Sequence, residues 1–498
     1  MPLPYDAWSV GAIVVSSLCL LIATRRTMST PGRLAWIAVA AFIIRLDPAA
    51  QSSLHLWDES VHAVIARHMA ADPLTPALYT HPILPPPIDS WTESGVWLHK
   101  PPLTFWLIGV SLATFGMHAI ALRLPSLLVS TLAVVVTFLV GRRVFDVRIG
   151  LLAAAFQAVN GLLVSLSSGR RVADHVDTLL LTCVELGVLA VVTGLDNRRV
   201  ARSAWLAGAA MGLGVLTKSF PALIVAAVAA AAWQEAFGFR RAAGLLGRLL
   251  AAAALVCGPW MVYVRIRFPE EATAAARYTW RHVTTVVEGH EGSVWAYVDA
   301  MPRFFGELVY LPLAWFLFVA SRPGASVMQR AVAVWLVVPY LVFSLMATKL
   351  SAFIAIAAPA IFLAEAWAWM ALRDRVRASG SRVTSLAGAA LLVLLAALPA
   401  RLLLEPTGSF ERRDRHPVAS REAMELERTL GLDDAVVFNV PHAFEMMFYT
   451  RYAAYGRLPL PAEIEKLHER GIPIFIYQPA GQTVDVPVEW RATVIRGR

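Results

Sequence analysis

Charge is scarce in this chain. Asp, Glu, Lys and Arg make up only 16% of its 498 residues, against 57% hydrophobic, and no water-soluble domain of this length needs so much apolar surface. Cysteine is rarer still: Cys19, Cys183 and Cys257 all fall inside apolar segments, which reads as core packing and implies no disulfide framework. The opening residues MPLPYDAWSV lack a basic n-region and a clear small-residue cleavage site, so no cleaved signal peptide is expected. No short-period repeat stands out. A net charge of +9 does not point to nucleic acid. The basic residues lie in short clusters between apolar runs, as in cytoplasmic loops, and form no binding stripe.

What is there is a succession of apolar runs. Leu124 to Val140 (LPSLLVSTLAVVVTFLV) and Ala387 to Leu404 (AGAALLVLLAALPARLLL) approach or reach the ~18 residues that read as a membrane span. The expected fold class is therefore a polytopic α-helical membrane protein. The bland alternative is a soluble protein with buried helices.

Lysine and arginine orient such a chain, because they collect on the cytoplasmic side. Segment 8–24 ends at Arg25 and Arg26, which puts that end inside and the N-terminus outside. Segment 33–48 returns to the outer face and delivers Asp58 and Glu59 there. Further basic clusters lie at 141–148, 196–202, 239–248, 321–330 and 373–382, with room for two crossings between successive ones. All five stay cytoplasmic only if segment 103–117 does not cross, and its short apolar length suits a helix lying in the interface. The count is then about twelve spans.

The outer face so defined collects the loop 49–102, the stretches 169–177, 216–220 and 347–353, and the loop 267–302. From about 405 onward the chain is outside too, and its character changes. DDAVVFNV, AEIEKLHERG and IPIFIYQ read as strand, amphipathic helix and strand. The expected organisation is a transmembrane part, 1–404, then a linker and a small α/β outer domain within 405–498.

Ionisable residues at a membrane boundary are costly, so each is a functional candidate. Asp58 and Glu59 are adjacent, hence about 100° apart on a helix, and do not share a proton. One of them can act as general base toward a hydroxyl; the plain reading is a solvated loop or a helix N-terminal charge. Between Lys100 and Lys466 the only lysines are Lys218 and Lys349. Lys100, Lys218 and Lys349, joined by Arg170 and Arg171, stand at the outer ends of different helices, where they suit one anion such as a phosphate. Snorkelling lysines are the plain alternative. Asp174 and Asp177, with His175 between them, open a span, and a carboxylate there is favoured by the helix dipole whether or not it is catalytic. His55, Asp58, Glu59 and His62 fall at helical spacing. A divalent metal on His55, Asp58 and His62, completed by His99 or His175, is thus a weaker alternative. The segment 85–95, PPPIDSWTESG, reads as a turn-rich structural loop.

These motifs, in this order, resemble those of the GT-C membrane glycosyltransferases, specifically the glycosyltransferase family 39, protein-mannosyltransferase-like group. WDE with the residues up to Met69 is similar to the family's first outer-loop acidic motif, and HKPPLTFWL with RLPS (Arg123 to Ser126) to its Lys-Pro segment. DTLLL is similar to the second-loop aspartate, placed on Asp177. GLGVLTKSFPAL resembles a Thr-Lys-Gly-Pro-like motif, GHEGSVWAYV an outer-loop His and aromatic element, and TKLSAFIAIAAPA a later lysine motif. The resemblance covers about 50–360 and extends more distantly to the aminoarabinose transferases that modify lipid A. Two positions depart from it: His62 stands where an aromatic or basic residue is expected, and Ser219 where glycine is usual.

The resemblance implies a sugar transferase using a polyprenyl-phosphate-linked donor. The acceptor would be a lipid, glycan or protein, at the periplasmic side of a bacterial inner membrane, with inversion if attack is direct. It implies Asp58, Glu59 and Asp177 as catalytic carboxylates, one of them the base, and Lys100, Lys218, Lys349, Arg170 and Arg171 on the donor phosphate. His62, His99, Asp174, His290 and Tyr297 would touch substrate. No metal is demanded, since lysine and arginine can stabilise a leaving phosphate. Helix 103–117 would line the donor's lipid groove. A lipid transporter is the rival reading, but it would place charges at mid-membrane depth in broken helices.

Overall fold

The computed structural model describes residues 6–80, 82–84, 88, 90–170, 175–196, 199–378, 382–405, 408–411, 414 and 417–497. Helices dominate. The first two are α1 (Ala7–Ala23) and α2 (Thr30–Ala49), followed by the shorter α3 (Asp58–Ala71) and α4 (Leu103–Phe115). Then come α5 (Ala119–Val144), α6 (Val147–Val159), α7 (Gly161–Ser167), α8 (His175–Gly194), α9 (Val200–Lys218), α10 (Ile224–Phe237) and α11 (Phe239–Arg267). They continue as α12 (Pro269–Thr284), α13 (Ala296–Phe305), α14 (Tyr310–Ala320), α15 (Val327–Leu345), α16 (Ala358–Ala378) and α17 (Arg382–Ala397). The C-terminal part holds α18 (Val418–Leu430), β1 (Val436–Phe438), α19 (Ala443–Tyr449), β2 (Ala453–Tyr455), α20 (Pro461–Glu469), β3 (Ile474–Gln478) and β4 (Thr493–Arg496).

Among the described residues, eight helices are long and apolar enough to cross a membrane, or ten if each of two bent pairs, α6–α7 and α13–α14, is one span. This makes the chain a multi-pass membrane protein. The difference from about twelve has a physical source. The 17-residue α1 is slightly short, and α2 carries Arg33, Arg45 and Asp47. The 13 residues of α4 reach about 20 Å, well short of a ~30 Å hydrocarbon core. That length is consistent with a helix that does not cross.

The chain forms two compact units, residues 1–48, 126–267 and 277–412 in one, and 49–125, 268–276 and 413–498 in the other. In the first unit α16 and the preceding 3-10 turn Ser351–Ala357 are central: 89% of their apolar window is buried, against 17% for the span ending at Leu404. Glycine lets α9 approach α11, since a Cβ on Gly208 would stand 2.1 Å from the Leu249 carbonyl oxygen. Small residues at such crossings are the usual way membrane helices pack. The α6–α7 bend of 58° is held by Arg45. This fully buried side chain donates to the carbonyls of Ala158 (2.7 Å) and Gln157 (3.0 Å) at the end of α6, and to Ser130 Oγ (2.7 Å).

The second unit contains a parallel sheet in the order β2-β1-β3-β4. Alternation along β1 decides its surroundings. Val436 and Phe438 pack with Ile464 and Leu467 of α20, whereas Val437 packs with a cluster that includes α3, α4 and α19. A parallel sheet needs both faces covered, and here segment 49–125, with α3 and α4, helps to cover one of them. The strand, helix and strand read from DDAVVFNV, AEIEKLHERG and IPIFIYQ are present, but the C-terminal segment shares its core with the first loop. Expressed alone, residues 413–498 are therefore expected to show no cooperative thermal transition by circular dichroism. A sharp transition for that fragment would show that it needs no such cover.

Candidate functional site

In the second unit the acidic motif is built around one buried ion pair. Arg123 Nε donates to Glu59 Oε1 (2.7 Å) and one terminal nitrogen donates to Oε2 (2.9 Å), with Glu59 fully buried. The remaining guanidinium protons go to the carbonyls of Ala49 (2.9 Å), Gln51 (2.7 Å) and Ser53 (2.7 Å). All five donors are thus used. Glu59 Oε2 also accepts from the His55 backbone N–H (2.6 Å). The loop before α3 is further tied from the C-terminal segment. Glu445 accepts from the Leu54 N–H (3.3 Å) and from Ser420 Oγ (2.5 Å), and Tyr449 donates to the Ser52 carbonyl (2.5 Å). Burial pushes the Glu445 carboxyl above the ordinary carboxylate range.

This clamp delivers Asp58 as the first residue of α3, half-buried, directly after Trp57 at φ 74° and ψ −112°. Asp58 sits in the first turn, where the helix dipole favours a carboxylate. His62, one turn on, is buried among aromatic rings, with centroids 5.5 Å from Trp97 and 5.2 Å from Phe105. His99 packs on Trp91 (5.0 Å) and Trp97 (5.1 Å), and Lys100 Nζ lies 5.3 Å from the Trp91 centroid, a cation–π contact. His55 precedes α3, and its Nδ1 meets the Leu56 carbonyl at 2.7 Å. The helical face proposed for a metal is therefore not formed. Among the described residues no group of three His, Cys, Asp or Glu side chains is placed to hold an ion.

In the first unit Asp177, in the first turn of α8, meets Lys218, in the last turn of α9, at 2.6 Å. Each charge complements its own helix dipole. Only 2% of the Asp177 and 10% of the Lys218 side chain is exposed, so water screens the pair little. Lys218 Nζ also lies 4.9 Å from the Phe353 ring centroid. Ser219 then breaks the helix at φ 59° and ψ −127°, a positive-φ conformation that favours glycine. The departure from the family's glycine thus falls at a strained corner.

Lys349 is oriented differently. Its ammonium donates to the carbonyls of Phe343 (3.3 Å) and Ser344 (2.9 Å) and to that of Met346, capping the end of α15. Burial holds it below the ordinary lysine range. Its backbone N–H donates to the His290 carbonyl (2.8 Å), and its Nζ lies 6.0 Å from the ring of the buried Tyr297. The Phe343 and Phe353 rings, 5.2 Å apart, connect the surroundings of Lys349 and Lys218. Arg170 anchors its backbone N–H on the Ser165 carbonyl (2.9 Å). Arg171 and Asp174 lie outside the described residues.

Arg123 enters the sequence motifs only within RLPS, and Arg45 and Glu185 stand in none of them. Glu185 is fully buried in α8, where Gln157 Nε2 (2.8 Å) and Thr137 Oγ1 (3.1 Å) donate to its Oε1. A charged residue inside an apolar run was the available signal in each case.

Comparison with known proteins bears on this architecture. Residues 99–263, 165 of the 498, match the family model described as dolichyl-phosphate-mannose-protein mannosyltransferase. The chain is 28% identical over 286 residues to the undecaprenyl phosphate-alpha-4-amino-4-deoxy-L-arabinose arabinosyl transferase 1 of Pseudomonas fluorescens (strain Pf0-1), covering 52% of this chain and 46% of that protein. It is 29% identical over 284 residues to the corresponding transferase of Pseudomonas aeruginosa (strain UCBPP-PA14), covering 52% and 47%. The chain thus spans about half the length of the curated relatives it matches. Among solved structures, ArnT from Cupriavidus metallidurans bound to undecaprenyl phosphate superposes with a TM-score of 0.62 at 16% identity, over 88% of this chain and 87% of that one. The archaeal oligosaccharyltransferase AglB from Archaeoglobus fulgidus, in complex with an inhibitory peptide and a dolichol-phosphate, gives 0.56 at 13% identity, over 85% and 64%. The fold is that of the GT-C membrane glycosyltransferases. The resemblance read from the motifs holds: to the mannosyltransferase-like group in the match to its family model, and to the aminoarabinose transferases in sequence and in fold.

Two outcomes follow from the geometry. Replacing Arg123 by Met leaves Glu59 buried without its partner, a change that typically costs about 3–5 kcal/mol. The Arg123→Met protein is therefore expected to unfold at a clearly lower temperature in detergent, and an unchanged midpoint would contradict the clamp. Ser219→Gly removes backbone strain of about 1–3 kcal/mol and is expected to raise the midpoint, with Ser219→Val lowering it. A fall on Ser219→Gly would count against strain at this corner.

Proposed function

We propose that this protein transfers a sugar from a polyprenyl-phosphate-linked donor to an acceptor hydroxyl, as a membrane glycosyltransferase. The observation that carries the reading is Lys218, a largely buried ammonium at the end of an apolar span, in a fold whose solved neighbour ArnT holds undecaprenyl phosphate. The curated relatives are undecaprenyl-phosphate-dependent arabinosyl transferases, which supports the same donor class here. The positive-inside orientation supports action at the periplasmic side of an inner membrane.

The chemistry divides among the named residues. The acceptor oxygen attacks the anomeric carbon and forms the new glycosidic bond. The bond from that carbon to the donor phosphate breaks, and the phosphate leaves with the electron pair. Lys218, shared between Asp177 and the incoming phosphate, stabilises that charge, so the leaving group needs no metal. Asp58 takes the acceptor proton as general base. Direct attack inverts the anomeric centre. Glu59 has a positioning role, because its oxygens already accept from Arg123 and His55. Lys349 likewise supports the site through α15 and the His290 segment, since its ammonium is bonded to three carbonyls.

The test is transfer of radiolabelled sugar from polyprenyl-phosphate donors by purified protein, with and without EDTA. Asp58→Asn is expected to lower transfer by about 10²-fold or more with an unchanged thermal midpoint, and EDTA to have no effect. Full transfer by Asp58→Asn would remove the base from Asp58. Loss on EDTA, restored by a divalent ion, would replace the lysine with a metal. Movement of lipid across the membrane with no glycosidic bond made would replace the transferase with a transporter.

A further inference from the structure

The second unit contains a 410 Å³ cavity whose wall includes Trp57 and Ser60, the chain neighbours on either side of Asp58 and Glu59. Its size is in the range of small-molecule sites, about 300–1,000 Å³. The C-terminal segment lines it too, at His442, Phe444 and Tyr455. Trp57 is 61% exposed and offers its indole to an occupant. Tyr455 is held rigidly between Tyr79 and Phe438, stacked at 5.0 Å and 5.2 Å.

The polar groups narrow the ligand. Glu93 contributes a carboxylate. The Nδ1 atom of His442 is buried without a hydrogen-bond partner among the described residues, and such atoms are normally satisfied. Arg457 also borders the cavity, but its guanidinium is committed to Glu463 by two 2.7 Å bonds. The cavity therefore holds aromatic faces, a carboxylate and an imidazole nitrogen, and Arg457, the one Lys or Arg side chain among its described lining residues, is already neutralised. Aromatic faces suit the C–H face of a pyranose ring, and carboxylate and imidazole suit its hydroxyls. A phosphate would meet Glu93, and among the described lining residues the one guanidinium, Arg457, is already taken by Glu463.

We propose that this cavity binds a neutral or amino-sugar residue of a glycan, as the acceptor subsite. Its role as acceptor subsite rests on the transferase reading; its ligand class does not. Full-length protein is applied, with no donor present, to an array of neutral, amino-sugar and phosphorylated oligosaccharides, as wild type, Phe444→Ala and Glu93→Gln. Expected is capture of neutral or amino-sugar glycans by the wild type, weakened at least tenfold in both variants, with thermal midpoints unchanged. Capture confined to phosphorylated glycans, no capture at all, or capture equal in all three proteins would each overturn the proposal. In a transfer assay with a captured glycan as acceptor, the variants are expected to raise its KM and leave the donor KM alone. A protein that captures glycan but transfers nothing would remove the transferase reading and leave the glycan site in place.

Discussion

The guanidinium of Arg123 has five protons, and every one is committed within the second unit. Two hold Glu59 and three hold consecutive parts of the loop that leads into α3. Without that knot the carbonyls of Ala49, Gln51 and Ser53 would lose their donors, and the start of α3 would have no fixed direction. A single arginine can do this because its fork is planar and always charged; lysine has too few donors in the wrong geometry. The carboxylate beside it, Asp58, is thereby placed while its neighbour Glu59 does the holding. Glu445 and Tyr449 bind the same loop from the C-terminal segment, which is why that segment and the loop share one core.

Backbone strain recurs next to the charged residues singled out above. Trp57 and Ser219 occupy nearly the same region, at φ 74°, ψ −112° and φ 59°, ψ −127°. One directly precedes Asp58 and the other directly follows Lys218. Such conformations persist only where surrounding contacts over-determine them. Around Trp57 those contacts are the Arg123 knot. Around Ser219 they are the Asp177–Lys218 pair and the 3-10 turn that follows.

Much of this was legible in the sequence, for identifiable reasons. The spans were readable because apolar length is a direct consequence of bilayer thickness. Lys218 and Asp177 were readable because ionisable residues at span ends are rare. Their mutual bond was not, since it depends on α8 and α9 lying antiparallel. The division of labour between Asp58 and Glu59 was hidden for the same reason: it is decided by Arg123, 64 positions away. The proposed metal face failed because helical spacing was assumed for His55, which lies before the helix begins. Lys349 looked equivalent to Lys218 by depth, yet the carbonyls at the end of α15 take its protons. The strand in DDAVVFNV was readable from its apolar, β-branched run, but the sequence does not say that segment 49–125 helps to cover one face of the sheet it joins.

The measurement that bears most directly on the central claim is an experimental structure of the full-length protein in a lipid nanodisc with undecaprenyl phosphate. The expected result is phosphate density within about 4 Å of Lys218 Nζ, ion-pair distance, with Asp177 still beside the lysine. Density bound elsewhere, with the Asp177–Lys218 pair closed and distant from it, would contradict the assignment of Lys218 to the donor phosphate.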